Sequence, residues 1–150
     1  MHEILLKSSL FRGLSTDKIT HLFDLISYKE KKYKKDDIIA FHDDECRNLI
    51  IILEGSVKGE MIDFTGKTIK IEDIESPRTL APAFLFGKNN RYPVTIVANN
   101  DVRILTIPRD AFVKLLQINE IVLKNYLDNI SNRAQFLSNK IRFLSFQTIK

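Results

Sequence analysis

The spacing of apolar residues along this chain changes its period several times. Ile19, Leu22, Phe23 and Ile26 recur at intervals of three and four, which predicts an amphipathic helix. Ser15 is placed to cap it, with Asp17 and Lys18 in the first turn, and Gly13 separates it from a shorter turn around Ile4 to Phe11. From Tyr28 the period becomes two. Asp36-Asp37 signals a turn, Ile38 to Phe41 a short strand, and His42 to Asn48 a polar connection. Leu49 to Leu53 is unbroken in its apolar character and reads as a fully buried strand, with Gly55 marking a bend or bulge after it. Val57 to Phe64 and Thr68 to Ile74 flank Thr65-Gly66 and read as a hairpin, with Ile69, Ile71 and Ile74 expected on its inward face. Pro77 closes that region. Leu80 to Gly87 is a compact apolar segment with room for one helical turn, and Lys88 to Arg91 is a polar loop tip. Pro93 to Ala98 and Val102 to Ile107 are strands joined by Asn99-Asn100-Asp101. Pro108 then opens a short helix carrying Phe112, Leu115 and Leu116.

A second, long helix is predicted from about Asn119 to about Ser145. Leu123, Leu127, Ile130, Ala134, Leu137, Ile141 and Leu144 alternate at four and three residues, a 3.5-residue repeat over about three heptads. A helix buried in its own domain usually shows a broader stripe at a period near 3.6. The heptad line therefore reads as a seam for a second copy, and Ala134 in its middle permits close approach. Val122, Tyr126, Phe136 and Phe143 widen the stripe toward the domain's own strands. The competing reading is a helix that simply lies across those strands.

Helix, then seven or eight short turn-separated strands, then two helices predicts a mainly β protein with flanking helices, built as an antiparallel roll. Nothing alternates as βαβ units, so a doubly wound sheet is not expected. A chain of 150 residues accommodates one domain with an appended helix. We place the roll at residues 1–117 and the long helix at 118–150. No apolar run approaches the roughly 18 residues of a membrane span. The N-terminus is too short and mixed for a secretory signal, so a cytoplasmic location without membrane attachment is expected. The single cysteine, Cys46, excludes an internal disulfide framework. Net charge is +4, and much of the excess sits in the run Lys29 to Lys35. That run is either an anion-binding patch or, as we favour, the solvated face of an edge strand whose lysines discourage pairing.

Four stretches carry a family resemblance: Phe11-Arg12-Gly13-Leu14-Ser15, Asn48 to Lys58, Leu80 to Ala98, and Asp101 to Phe112. In order and spacing they resemble the cyclic-AMP receptor/FNR (CRP/FNR) superfamily of transcriptional regulators. The likeness spans nearly the whole chain. It implies a cyclic-nucleotide-binding-like jelly roll (a double-stranded β-helix) with a phosphate-binding cassette at Leu80 to Ala98 and a dimerisation helix. The departures are specific. Nucleotide-binding members carry Gly-Glu at the start of the cassette and Arg-Ser or Arg-Thr near its end, where arginine neutralises the phosphate and glutamate holds the ribose. Here the matching positions are Ala81-Pro82 and Tyr92-Pro93. Neither proline has an N–H and the tyrosine has no positive charge. Arg91 is one residue out of register, which in a strand turns it to the opposite face. Losing those contacts costs several kcal/mol, on the order of 10³-fold in affinity. Cyclic AMP and cyclic GMP are therefore expected to bind weakly or not at all.

In their place Pro82, Phe84, Phe86, Tyr92 and Pro93, with Leu85 and Ile96 nearby, would form an apolar, aromatic-lined site. Three occupants stay open: none, the residues merely plugging the roll; a small apolar or aromatic effector; or haem, with His42 or Cys46 as axial ligand. His2 and His21 are expected at the surface, and Asp43-Asp44-Glu45 and Glu72-Asp73 as solvated loop acids. The family places a winged helix-turn-helix after the long helix. This chain stops soon after Leu144, and Phe143 to Lys150 reads as the junction into that domain. A protein cut at its hinge is favoured over a natural stand-alone sensor. The expected function is the effector-sensing and dimerisation domain of a regulator that binds DNA through that further domain, not an enzyme. The alternatives are a cyclic-nucleotide-binding-like regulatory module of a kinase or channel, or a cupin-like barrel enzyme. The second needs a His-x-His ligand set that three isolated histidines do not supply.

Overall fold

The computed structural model describes residues 2–148, with side chains from 2 to 145. Helix α1 (His2–Leu5) and a 3₁₀ turn (Ser9–Phe11) lead into α2 (Thr16–Phe23). Ser15 caps α2 as its position predicts, accepting a hydrogen bond from the Lys18 N–H at 3.1 Å. Ile19, Leu22, Phe23 and Ile26 are all buried. His2 departs from the expected surface position: its Nδ1 lies 3.0 Å from Thr20 Oγ1, and its ring packs 5.9 Å from that of Phe23.

Eight strands follow: β1 (Lys29–Tyr33), β2 (Ile38–Ala40), β3 (Asn48–Glu54), β4 (Ser56–Ile62), β5 (Thr68–Glu75), β6 (Arg78–Leu80), β7 (Thr95–Ala98) and β8 (Val102–Pro108). They form two four-stranded antiparallel sheets, ordered β1-β8-β3-β6 and β2-β7-β4-β5. Most chain neighbours thus fall in different sheets, the jelly-roll pattern. The uniform apolar character of β3 follows from its place between β8 and β6 and under the second sheet. Leu49 to Leu53 are all buried. Just after β3, Gly55 sits at φ +85°, and a Cβ there would collide with the Asp101 carbonyl oxygen. Asn100 of the same turn accepts the Ser56 N–H at 3.0 Å. Strand β1 pairs with β8 alone, so the lysine run is a solvated edge. Arg103 on β8 ties that edge down, donating to Glu30 at 3.3 Å and Glu54 at 2.7 Å.

The β4–β5 hairpin differs from the expectation. Of the three isoleucines of β5 only Ile74 is buried; Ile69 and Ile71 are exposed, as are Met61, Ile62 and Phe64. The cause is where the neighbouring strand stops: β4 pairs with β7 only from Val57 to Glu60, and Ile71 is the extra residue of a bulge at that point. Val57 and Ile74, on the near side of it, face the core. Beyond it Met61 and Ile69 still face each other across the hairpin, but past the end of the β4–β7 pairing. As part of this hairpin, Glu72 and Asp73 are strand residues, not loop acids.

Helix α3 (Arg109–Ile118) follows β8 after Pro108, and α4 (Glu120–Thr148) follows Asn119, whose Oδ1 accepts the Val122 N–H at 3.0 Å. The first turns of α4 lie in the domain's own core, with Val122 fully buried and Tyr126 5% exposed. Asn125 donates to the Leu10 and Arg12 carbonyls at 3.0 and 2.9 Å, and Asn129 to Ser9 Oγ at 3.0 Å. Phe136 and Phe143 do not pack on the roll: they lie further along the helix and are more than half exposed. The predicted junction from Phe143 onward lies partly outside the described residues.

Candidate functional site

The cassette between β6 and β7 begins with a 3₁₀ turn, Pro82–Phe84, entered from Ala81 at φ +45°. It is fastened to both C-terminal helices. The Tyr126 hydroxyl donates to the Pro82 carbonyl at 2.8 Å. The Phe86 ring packs 6.5 Å from Phe112 and 6.2 Å from Tyr126, and those two meet edge-on at 5.0 Å. Burial pushes the Tyr126 phenol up to about 12. Arg109, at the start of α3, donates to the Leu85 carbonyl at 2.8 Å and to the Cys46 carbonyl at 2.5 Å. One guanidinium thus holds the cassette and the β2–β3 connection together. A cation in the first turn of a helix opposes the helix dipole and needs such partners, a clue present in Pro108-Arg109 that periodicity alone passes over.

The far end of the cassette resolves the register question. Arg91 points outward and donates to the Asp43 carbonyl at 2.8 Å. Tyr92 turns inward and is only 6% exposed. Its backbone pairs with the β2–β3 connection, Tyr92 N to Asp44 O and Asp43 N to Tyr92 O, both at 3.0 Å. Burial, then the neighbouring Cys46, raises the Tyr92 phenol well above its usual range. Burial likewise raises the Cys46 thiol, against the opposing pull of Tyr92 and Arg109.

The five cassette residues therefore occupy two places. Pro82 and Phe86 gather at Tyr126 on the helix side, with the half-buried Phe84 in the same turn. Tyr92 lines a cleft of about 190 Å³ that opens between β1 and β2. The half-buried Pro93 follows it and is not part of that lining. His42 is a half-exposed surface group with Nδ1 3.5 Å from the Asp43 carboxylate, whereas Cys46 is buried with Sγ 3.8 Å from the Asn48 carbonyl. Neither lines that cleft. A larger open groove of about 460 Å³ lies at the β1–β8 edge, around Lys32, Glu54 and the already paired Arg103. Among the described residues no three His, Cys, Asp or Glu side chains converge on a metal-sized site, and no helix is long and apolar enough to cross a membrane.

On α4 the heptad line is uncovered. Leu123, Leu127, Leu137, Ile141 and Leu144 are exposed, Ile141 by 64%; Ala134 is exposed and Ile130 half-buried. Every residue from 131 to 145 is exposed.

A roll with a cassette between its sixth and seventh strands, closed by two helices, defines a class. The chain belongs to the cyclic nucleotide-binding domain family, whose model matches residues 30–119. Its structural neighbours include transcriptional regulators of the CRP/FNR type. A transcriptional regulator from Thermotoga maritima is 30% identical, with a TM-score of 0.78 over 85% of this chain and 98% of that one. The sensor domain of the regulator DNR from Pseudomonas aeruginosa is 20% identical, with a TM-score of 0.76 over 92% and 91%. The catabolite activator protein of Thermus thermophilus is 17% identical, with a TM-score of 0.79; the match covers 92% of this chain and 63% of that one. A search of curated proteins gives no match. The family and these neighbours are regulatory proteins, not enzymes.

Proposed function

We propose that this chain is the effector-sensing and dimerisation domain of a cytoplasmic CRP/FNR-type regulator that does not respond to cyclic AMP. Its effector faces the segment carrying Pro82, Phe84, Phe86, Tyr92 and Pro93 and is small and apolar or aromatic. Its dimer forms along Leu123, Leu127, Ile130, Ala134, Leu137, Ile141 and Leu144, and DNA is bound by a further domain beyond the long helix. The roll at residues 1–117 senses, and the helix at 118–150 transmits.

The observation that supports this most is the opposed pair Arg91 and Tyr92. A cyclic phosphate in the roll needs a cation facing inward; the inward residue here is a buried neutral phenol, and the adjacent guanidinium is turned out onto the Asp43 carbonyl. The Tyr126–Pro82 hydrogen bond and the Phe86–Phe112–Tyr126 cluster provide the link from cassette to helix. A displaced cassette would have to move α4, and with it the partner copy. Calorimetric titration with cyclic AMP tests the reading. The expected result is no binding in the micromolar range, and a micromolar Kd would overturn it.

A further inference from the structure

The cleft beside Tyr92 has a chemical character of its own. It opens where edge strand β1 of one sheet faces edge strand β2 of the other. Its apolar wall is Ile39, Ile50 and Ile104, and its charged groups are Lys31, Asp44, Glu45 and Arg47. Two of those charges satisfy each other: Arg47 Nε donates to Glu45 at 3.1 Å, with Arg109 a further 3.8 Å from the same carboxylate. The other two are left over. Among the described residues neither the Lys31 ammonium nor the Asp44 carboxylate has a hydrogen bond or ion pair, although both line the same cleft from different segments. Lys31 shares its face of β1 with Tyr33, two residues on, which also lines the cleft. Asp44 sits on the connection held by the Tyr92 backbone at 3.0 Å.

From this juxtaposition we propose that the cleft binds a small zwitterion, a free amino acid with an apolar or aromatic side chain. Its carboxylate would meet Lys31, its ammonium Asp44, and its side chain the isoleucine wall. Size agrees with the assignment. At about 30 Å³ per water, the cleft is equivalent to about six waters, the scale of a small molecule. A cyclic nucleotide or a haem is far larger. Charge agrees as well: a simple anion would face Asp44 and a simple cation Lys31, and only a molecule carrying both charges satisfies both walls. An exposed lysine on an edge strand also discourages strand pairing. That role alone would leave the cleft to water, with no selectivity. The site shares Tyr92 with the cassette but needs neither the helix seam nor a role in transcription.

The test is calorimetric titration of the chain with L-leucine, L-isoleucine, L-methionine and L-phenylalanine. N-acetyl-L-phenylalanine and L-phenylalanine methyl ester, each lacking one charge, serve as paired controls. At least one free amino acid is expected to bind, and both blocked forms to bind at least about tenfold more weakly. Lys31→Met and Asp44→Asn should each weaken binding by a similar factor while leaving the melting temperature unchanged. Leu137→Asp, which disrupts only the helix seam, should leave binding intact, so failure of the dimer reading is separable from failure of this one. No binding by any of the four, or binding indifferent to the blocking groups or to the two substitutions, would overturn the proposal.

Discussion

The two ends of α4 are one helix in two environments. Over its first three turns Val122 and Tyr126 are buried in the roll, and Asn125 and Asn129 bond the N-terminal segment. From residue 131 to 145 nothing among the described residues covers it, yet apolar residues continue at heptad spacing. A helix of 29 residues is about 44 Å long at 1.5 Å per residue, longer than a roll of this size spans. An uncovered apolar stripe does not stabilise an isolated helix; its stabilisation comes from packing against something. The near end thus serves the fold, and in the proposed function the far end serves a partner copy.

Substitutions at the two ends should part company. The largest effect is expected from Leu137→Asp, which puts a charge in the middle of the far seam. The dimer should dissociate to monomers by light scattering, while the roll's unfolding transition stays in place. Val122→Ala acts at the near end. It deletes two buried methyl groups and leaves a cavity, so stability should fall by about 2 kcal/mol in urea melts with the dimer mass unchanged. Tyr126→Phe is milder, removing one hydrogen bond to Pro82 and costing about 1 kcal/mol. It should also alter the pH response. The unfolded chain releases a tyrosine proton near 10, the folded chain only at about 12. The stabilising contribution is therefore complete below pH 10 and is lost as pH rises from 10 toward 12. Tyr92, whose phenol is also raised, acts in the same direction. The Tyr126→Phe variant should lose less stability over that interval than the parent.

Much of the fold was legible because local rules and tertiary context agreed. The Ser15 cap, the unbroken Leu49 to Leu53 run and the Asn99 to Asp101 turn all sit where the spacing places them. The outward turn of Arg91 followed from the period of two. Where α4 leaves the roll was not legible, since periods of 3.5 and 3.6 cannot be told apart over two turns. Phe136 and Phe143 continue the row of Val122 and Tyr126 but have no strand opposite them. The hairpin's exposed isoleucines were missed because where β7 stops pairing with β4, after Glu60, depends on a distant segment and leaves no local signal. The candidate site was only half legible. Composition flags Tyr92 and Phe86, but that they serve different places depends on Arg109 and Tyr126 reaching them from distant segments.

Whether a second copy of this chain covers the far half of α4 is decided by the mass of the unmodified protein in solution at micromolar concentration. Light scattering should give twice 17.4 kDa. A species of 17.4 kDa that stays monomeric as concentration rises would contradict it.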